Sequence, residues 1–371
     1  MPKSPPQRPN TSSLRIDTQS PYFPRRPSGE VEVVRVIGQG SMGEVCFARD
    51  HALLRDVAFK RLKPDQQGMG KRLEREARIG AQLDHPHIVP VHRLVRGPDR
   101  QPLGYVMKLV QGEDLGQMLK RVKERVADGR PLEPDEDLDA RIRILRAIID
   151  AVAYAHDKGV IHRDLKPSNI LIAQRGSVYL TDWGLAKIVR GRSPLATLTT
   201  VQTGRANSEE PTKLGTLMGT VAYMSPEQAN GRTEGLGTES DVFSLGVMLY
   251  EILQLHHPYL DDPRKSGVLQ AVRNGRVTPL DGRQAPEQVP EELLAIAEKA
   301  TAVRPEDRYP DAGALADDLD RWSRGEAIQA GTDSFARQAR RWLRRSPELA
   351  LFTVIMLLLV DLMLLVYVLL N

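Results

Sequence analysis

His162-Arg163-Asp164-Leu165-Lys166-Pro167-Ser168-Asn169-Ile170 decides how this 371-residue chain is read. Within nine residues it sets an Asp and an Asn five positions apart, with a Lys between them. Asp164 offers a base for a hydroxyl proton, Asn169 an amide oxygen for a metal ion, and Lys166 a cation for a phosphate. That combination suits in-line phosphoryl transfer, where positioning and charge neutralisation carry most of the catalysis. A chance turn holding Asp164 is the bland alternative, and the rest of the chain must decide between the two.

Two upstream segments fit the same chemistry. Ile37-Gly38-Gln39-Gly40-Ser41-Met42-Gly43-Glu44-Val45 follows one strand-like run and enters another. Glycines there let backbone N–H groups approach phosphate oxygens with no Cβ in the way. The same spacing marks dinucleotide-binding turns, but those open a helix, whereas 45–49 continues as a strand. Val57-Ala58-Phe59-Lys60 comes next. A lysine in so apolar a strand needs a carboxylate, since an unpaired buried ammonium is costly. The helix-period stretch 71–83 offers Glu74 and Glu76.

Around these motifs the chain divides in two. β-rich runs at 31–37, 45–49, 56–61, 88–95 and 104–110, with the one helix at 71–83, predict a small first lobe. From 115 onward helical patterns dominate. Ile142, Leu145, Ile148, Ile149, Val152 and Ala155 recur at helical spacing, and apolar helices are expected over 241–255 and 290–302. Trp322 closes the compact part. A glycine-bearing joint, 109–112, links the lobes, and the cleft between them is where a nucleotide is expected.

In their order and spacing these motifs resemble those of protein kinases over 31–322. The resemblance implies an α+β, bilobal kinase fold with a small β-rich N-lobe and a larger helical C-lobe. It also assigns roles. Arg75-Glu76-Ala77, followed by Leu83 and His85-Pro86, makes Glu76 the partner of Lys60 and leaves Glu74 in solvent. Asp164 becomes the catalytic base, with Lys166 beside it. Thr181-Asp182-Trp183-Gly184 supplies Asp182 as a ligand for Mg²⁺ (or Mn²⁺), with Asn169 as the second. Residues 105–110 look like the hinge, with Met107 as gatekeeper. The ATP slot then takes the run from Ile37 to Val45 together with Ala58, Lys60, Met107, Leu109 and Leu171.

Farther along, Glu227 is expected to pair with Arg308, and Asp241 to brace the catalytic loop. Lys166 together with Thr220 resembles the serine/threonine branch. The implied function is transfer of the ATP γ-phosphate to Ser and Thr hydroxyls of proteins. Two departures stand out. Trp183 replaces the usual Phe, and Gly80, one turn after Glu76, is expected to make room for it. Lys108 stands where an acidic residue is usual. Lys60, Glu76, Asp164, Asn169 and Asp182 are all present, which weighs against a membrane-anchored pseudokinase scaffold. The Met224-Ser225-Pro226-Glu227 segment weighs against a small-molecule phosphotransferase.

From Asp182 to Glu227 the chain runs 46 residues, long for such a segment, and 187–214 is rich in Thr, Ser and Gly. Arg163 is expected to clamp a phosphate placed there. Thr212 and Thr216 are the first candidates to carry it, a short way before Thr220.

Composition bounds the rest. The single cysteine, Cys46, excludes a disulfide within the chain and fits a reducing compartment. The net charge is +4; residues 1–29 carry +4 and 337–345 carry +5, so the remainder carries −5. An acidic body argues against nucleic acid as a partner. Residues 1–30, with seven prolines, read as a disordered arm. No apolar run follows the first charges, so no secretory leader is expected.

The domain body is expected over 31–325, a basic linker over 326–348 and a transmembrane helix over 349–370. Those 22 residues span roughly 33 Å as a helix, enough for a hydrocarbon core of about 30 Å. Asp361 costs about 2.5–3.5 kcal/mol at mid-span, while sixteen Leu, Ile, Val and Phe residues return about 5–10. Arginines 337, 340, 341, 344 and 345 put their side in the cytoplasm. A single-pass protein of the cell (inner) membrane is the expectation, either tail-anchored or continued by a sensor domain. Asp361 suits a homodimer through this helix. The linker Arg341-Trp342-Leu343-Arg344-Arg345-Ser346-Pro347 resembles that of membrane-anchored, planctomycete-like kinases of the bacterial type.

Overall fold

A computed structural model describes residues 31–40, 43–189, 221–232, 236–260, 267–275, 277–278, 280 and 287–331. Positions 64, 65 and 67 are described by backbone alone. Ser41, Met42, Thr212, Thr216, Thr220, the arm at 1–30 and the expected span at 349–370 lie outside the described residues. Among the described residues, no helix is long and apolar enough to cross a membrane.

The first lobe is a five-stranded antiparallel sheet in the order β1-β2-β3-β5-β4. Its strands are β1 (Val31–Gln39), β2 (Gly43–Asp50), β3 (Arg55–Leu62), β4 (Val91–Arg96) and β5 (Pro102–Lys108). Alternation does its work in β2, where Cys46 and Ala48 are fully buried and Arg49 is exposed. Helix α1 (Gly70–Gly80) packs on β4 and β5 through Leu73 and Ala77, while Ile79 joins the core of the second lobe. It stops at Gly80, short of the expected 83.

The expected strand at 88–95 begins only at Val91. Pro90 has no N–H for a ladder, and the residues before it pair elsewhere. Leu180 N–H donates to His87 O at 2.7 Å, and Val89 N–H donates to Leu180 O at 3.0 Å. This segment thus ties the first lobe to the strand preceding Asp182.

Past the joint come β6 (Gly112–Asp114), α2 (Leu115–Ala127), α3 (Leu138–Asp157), β7 (Val160–Ile161), β8 (Ile170–Ala173), β9 (Val178–Leu180) and β10 (Lys187–Ile188). β6, β8 and β9 form one small antiparallel sheet, and β7 pairs with β10. The helices α4 (Pro226–Ala229), α5 (Glu239–Gln254), α6 (Val268–Arg273), α7 (Glu291–Ala300) and α8 (Ala312–Ser323) complete the second lobe. Helix α5 is apolar nearly all round, as a core helix must be; of its 16 residues only Glu239 and Glu251 are not buried. It packs against α3, α7 and α8.

Trp322 does not end the compact part. Asp318 accepts the backbone N–H groups of Gln329 at 2.6 Å and Ala330 at 2.8 Å. The body therefore continues into the first residues of the expected 326–348 linker.

Candidate active site

Strand register builds the first half of the site. Lys60 in β3 lies opposite Tyr105 in β5, and both are buried, as is Glu76 on α1. Lys60 Nζ stands 2.5 Å from Glu76 Oε1 and 3.2 Å from Asp182 Oδ1. Tyr105 Oη donates to the same Glu76 oxygen at 2.7 Å. Tyr105 was not singled out by the sequence, because an apolar strand gives no sign of which way its hydroxyl turns.

Glu74, two residues from Glu76, falls on another face of the helix. It is not simply solvated: it pairs with Arg96 at 2.7 Å and with Arg78 at 2.5 Å. The choice between the two carboxylates follows from helix geometry.

Electrostatics sharpen the triad. Burial pulls the Lys60 ammonium down, but the fields of Asp182 and Glu76 and their hydrogen bonds outweigh it and push it up to about 12. Burial raises the Glu76 carboxyl, and Asp182 adds to the rise. Asp182 sits nearer the cleft mouth, with 36 % of its side chain exposed. Burial opposes its charge, yet Lys60 holds its carboxyl below the usual range, helped by His162 and Lys166. Lys60 therefore stays charged at neutral pH.

The second half is the catalytic-loop segment. Lys166 Nζ donates to Asp164 Oδ2 at 2.8 Å. Asn169 Nδ2 donates to the Asp164 carbonyl at 2.7 Å and to Oδ2 at 3.3 Å. With its nitrogen spent on the loop, Asn169 has its carbonyl oxygen left for a cation. Thr181 N–H donates to Asn169 O at 3.0 Å, placing the loop beside the Asp182 turn.

The loop is braced from below. Asp241 in α5 accepts the backbone N–H groups of His162 and Arg163, both at 2.8 Å. His156 Nε2 meets it at 2.9 Å, a partner the sequence did not suggest. Burial opposes the Asp241 charge, but His156 and the backbone donors hold its carboxyl below the usual range. Arg163 and Asp182 both sit at φ +69°, a left-handed conformation costing roughly 1–2 kcal/mol for a side-chain-bearing residue. The surrounding bonds offset that strain.

Glu227 meets Arg308 through two hydrogen bonds of 2.8 and 2.9 Å, and the Arg308 side chain is fully buried. Ser240 Oγ donates to Glu227 as well. Trp183 is buried, its ring centroid 4.6 Å from that of His162, and its indole N–H has no acceptor among the described residues.

The apolar slot forms one cluster. Ala58 and Met107 are paired across β3 and β5 and buried, with Val45, Leu109 and Leu171 packed against them. Ile37 is exposed at the start of the loop. A Cβ at Gly38 or Gly40 would meet nothing closer than 3.8 or 3.7 Å. Gly43 has a different reason to be glycine, since a Cβ there would lie 2.3 Å from the Arg61 carbonyl. Cys46 is wholly buried in β2, and burial pushes its thiol up.

Asp182 and Asn169 offer hard oxygen donors, the chemistry Mg²⁺ requires. No cluster of three His, Cys, Asp or Glu side chains that could cage a metal exists among the described residues. Mg²⁺ suits such an open site, since it takes one or two protein oxygens and completes its shell with water and substrate phosphates. An apolar slot beside a charged lysine fits the accompanying nucleotide.

Comparison with known proteins agrees with this geometry. The family model for the protein kinase domain matches residues 31–318. A serine/threonine-protein kinase PknD from Protochlamydia amoebophila is 34% identical over 304 residues, covering 80% of this chain and 30% of that protein. The PknD of Chlamydia pneumoniae is 33% identical over 298 residues, covering 79% and 31%, and that of a Chlamydia trachomatis strain 35% over 287, covering 75% and 30%. The chain thus spans about a third of the length of these curated relatives. Its kinase motifs stand in one cleft, and the chain belongs to the protein kinase domain family, on the bacterial serine/threonine side.

Proposed function

We propose that the chain is an ATP-dependent serine/threonine protein kinase that acts on proteins from a membrane-anchored position. The observation that carries this is the closed set Lys60–Glu76–Asp182, standing beside Asp164, Lys166 and Asn169 with no member missing. Mg²⁺–ATP, when bound, supplies the phosphoryl group. Asp182 and Asn169 would hold the metal, and Lys60, fixed by Glu76, would hold phosphate oxygens. Asp164 orients the substrate hydroxyl and accepts its proton, while Lys166 faces the negative charge that develops. A pseudokinase scaffold would need none of these groups kept in register.

The test is transfer of labelled phosphate from ATP by the full chain, followed by phosphosite mapping. Asp164→Asn should keep nucleotide affinity and lose transfer. Wild-type autophosphorylation by that variant would refute the assignment.

Three further elements belong to the same reading. The apolar run 349–370 with its arginine flank supports single-pass anchoring in the cell membrane with the kinase in the cytoplasm. Asp361 within it supports a homodimer, since a carboxyl facing lipid is unfavourable. Activation by phosphate on Thr212 or Thr216 belongs to this reading, and the state of Arg163 supports it. Arg163 makes no ion pair among the described residues and has a buried Nε without an acceptor. Arg75 lies near it, and among the described residues Arg72 and Arg75 donate to the Gly184 and Ala186 carbonyls.

A further inference from the structure

Lys108 is the last residue of β5, where the first lobe gives way to the joint. Its backbone N–H donates to Pro90 O at 3.0 Å. Its side chain makes no contact with the Lys60–Glu76–Asp182 set. Instead the ammonium lies 4.1 Å from the centroid of the Tyr179 ring and donates to the Tyr179 hydroxyl. Tyr179 is buried in β9, three residues before Asp182. The next residue, Leu180, is bonded on both sides to the His87–Val89 segment. Hinge and metal-bearing turn are therefore joined by one side-chain pair as well as by backbone.

We propose that Lys108 and Tyr179 are positioning residues that set the strand leading to Asp182 against the hinge. The proposal rests on the kinase reading above. The ammonium sits at the hydroxyl edge of the ring, and a charged donor bonded to that hydroxyl fixes the distance between the two strands. Movement of the hinge strand relative to β9 would break this contact. The rotation of Asp182 toward a metal is thus coupled to the hinge, where adenine is read by backbone groups.

The variants are Lys108→Met, which keeps the stem, Tyr179→Phe, which keeps the ring, the double variant, and Lys108→Arg. Nucleotide affinity of the full chain is measured by calorimetry with ATP alone and with Mg²⁺–ATP. Lys108→Met and Tyr179→Phe should each weaken Mg²⁺–ATP binding by about three- to tenfold while leaving metal-free ATP within about twofold. The double variant should be no worse than the worse single one, and Lys108→Arg should stay near wild type.

Amide exchange in the nucleotide-free protein gives a readout independent of any ligand, and the amides of 179–182 should lose protection in both single variants. Additive effects in the cycle, equal losses with and without Mg²⁺, or unchanged exchange at 179–182 would each overturn the pair. A wild-type chain that binds nucleotide but transfers no phosphate would instead count against the kinase reading and leave these measurements intact.

Discussion

Gly80 faces Trp183: a Cβ on Gly80 would stand 3.9 Å from Cδ1 of the indole, in ordinary contact with it. The tighter neighbour is Val91, whose Cγ2 would be only 3.0 Å away. The small residue after Glu76 thus serves the β4 strand first and the indole second. Gly80→Leu should overfill the site at a cost of about 1–3 kcal/mol and push the Glu76 helix outward. Val91→Ala should restore more of the melting temperature than Trp183→Phe does. The reverse order in a pair of double-mutant cycles would place the crowding at the indole instead.

Glu227→Gln leaves the buried Arg308 without its counter-charge, and breaking such a pair costs about 3–5 kcal/mol. Burial alone would raise the Glu227 carboxyl, but the hydrogen bonds and field of Arg308 prevail and hold it below the ordinary glutamate value. A carboxyl lowered in the folded state contributes stability above its unfolded value of about 4.3 and loses it as pH falls through the folded one. The gap in melting temperature between wild type and Glu227→Gln should be flat from about pH 5 to 8 and shrink below about pH 4. A gap that grows with acid would contradict the pairing.

Phosphatase treatment of active enzyme should lower activity, and a Thr212→Ala/Thr216→Ala variant should start low and fail to respond. Each phosphate adds about −1.5 to −2 charge, enough to recruit Arg163 through charge-assisted hydrogen bonds. Full activity in the variant, together with indifference to phosphatase, would remove the switch.

Alkaline washing of membranes should not release the chain, and protease added outside intact cells should leave the kinase uncut. Deleting 349–371 should yield a soluble protein that still transfers phosphate. Recovery of the undeleted chain in the soluble fraction would rule out the span.

Much of the site was legible because its residues are fixed by local sequence. The Asp164–Asn169 spacing, the glycines from Gly38 to Gly43 and the apolar strand around Lys60 each carry their chemistry within a few positions. Glu76 was separable from Glu74 by likeness to a pattern, and the helix supplies the physical reason by turning them to different faces. Tyr105 and His156 were not legible. Each acts through hydrogen bonds to residues far away in sequence, Tyr105 to Glu76, and His156 to Asp241 and Ala312, and nothing local distinguishes them from core residues. Gly43 was read for phosphate approach, while its closest constraint is the Arg61 carbonyl of the adjoining strand. The boundary at Trp322 was missed because 329–330 are held by Asp318 through backbone N–H groups, which any sequence provides.

The sequence by itself determined the two lobes, the order of the motifs and the chemistry each could perform, because periodicity and residue type are local properties. Only the tertiary structure decided that Tyr105 shares Glu76 with Lys60, what covers Trp183 and where the Lys108 ammonium rests. Those outcomes depend on strand register, on the angle at which α1 crosses the sheet and on left-handed turns at Arg163 and Asp182. Such features arise from packing between distant segments, where free energy is shared among many contacts and no single stretch of chain records it.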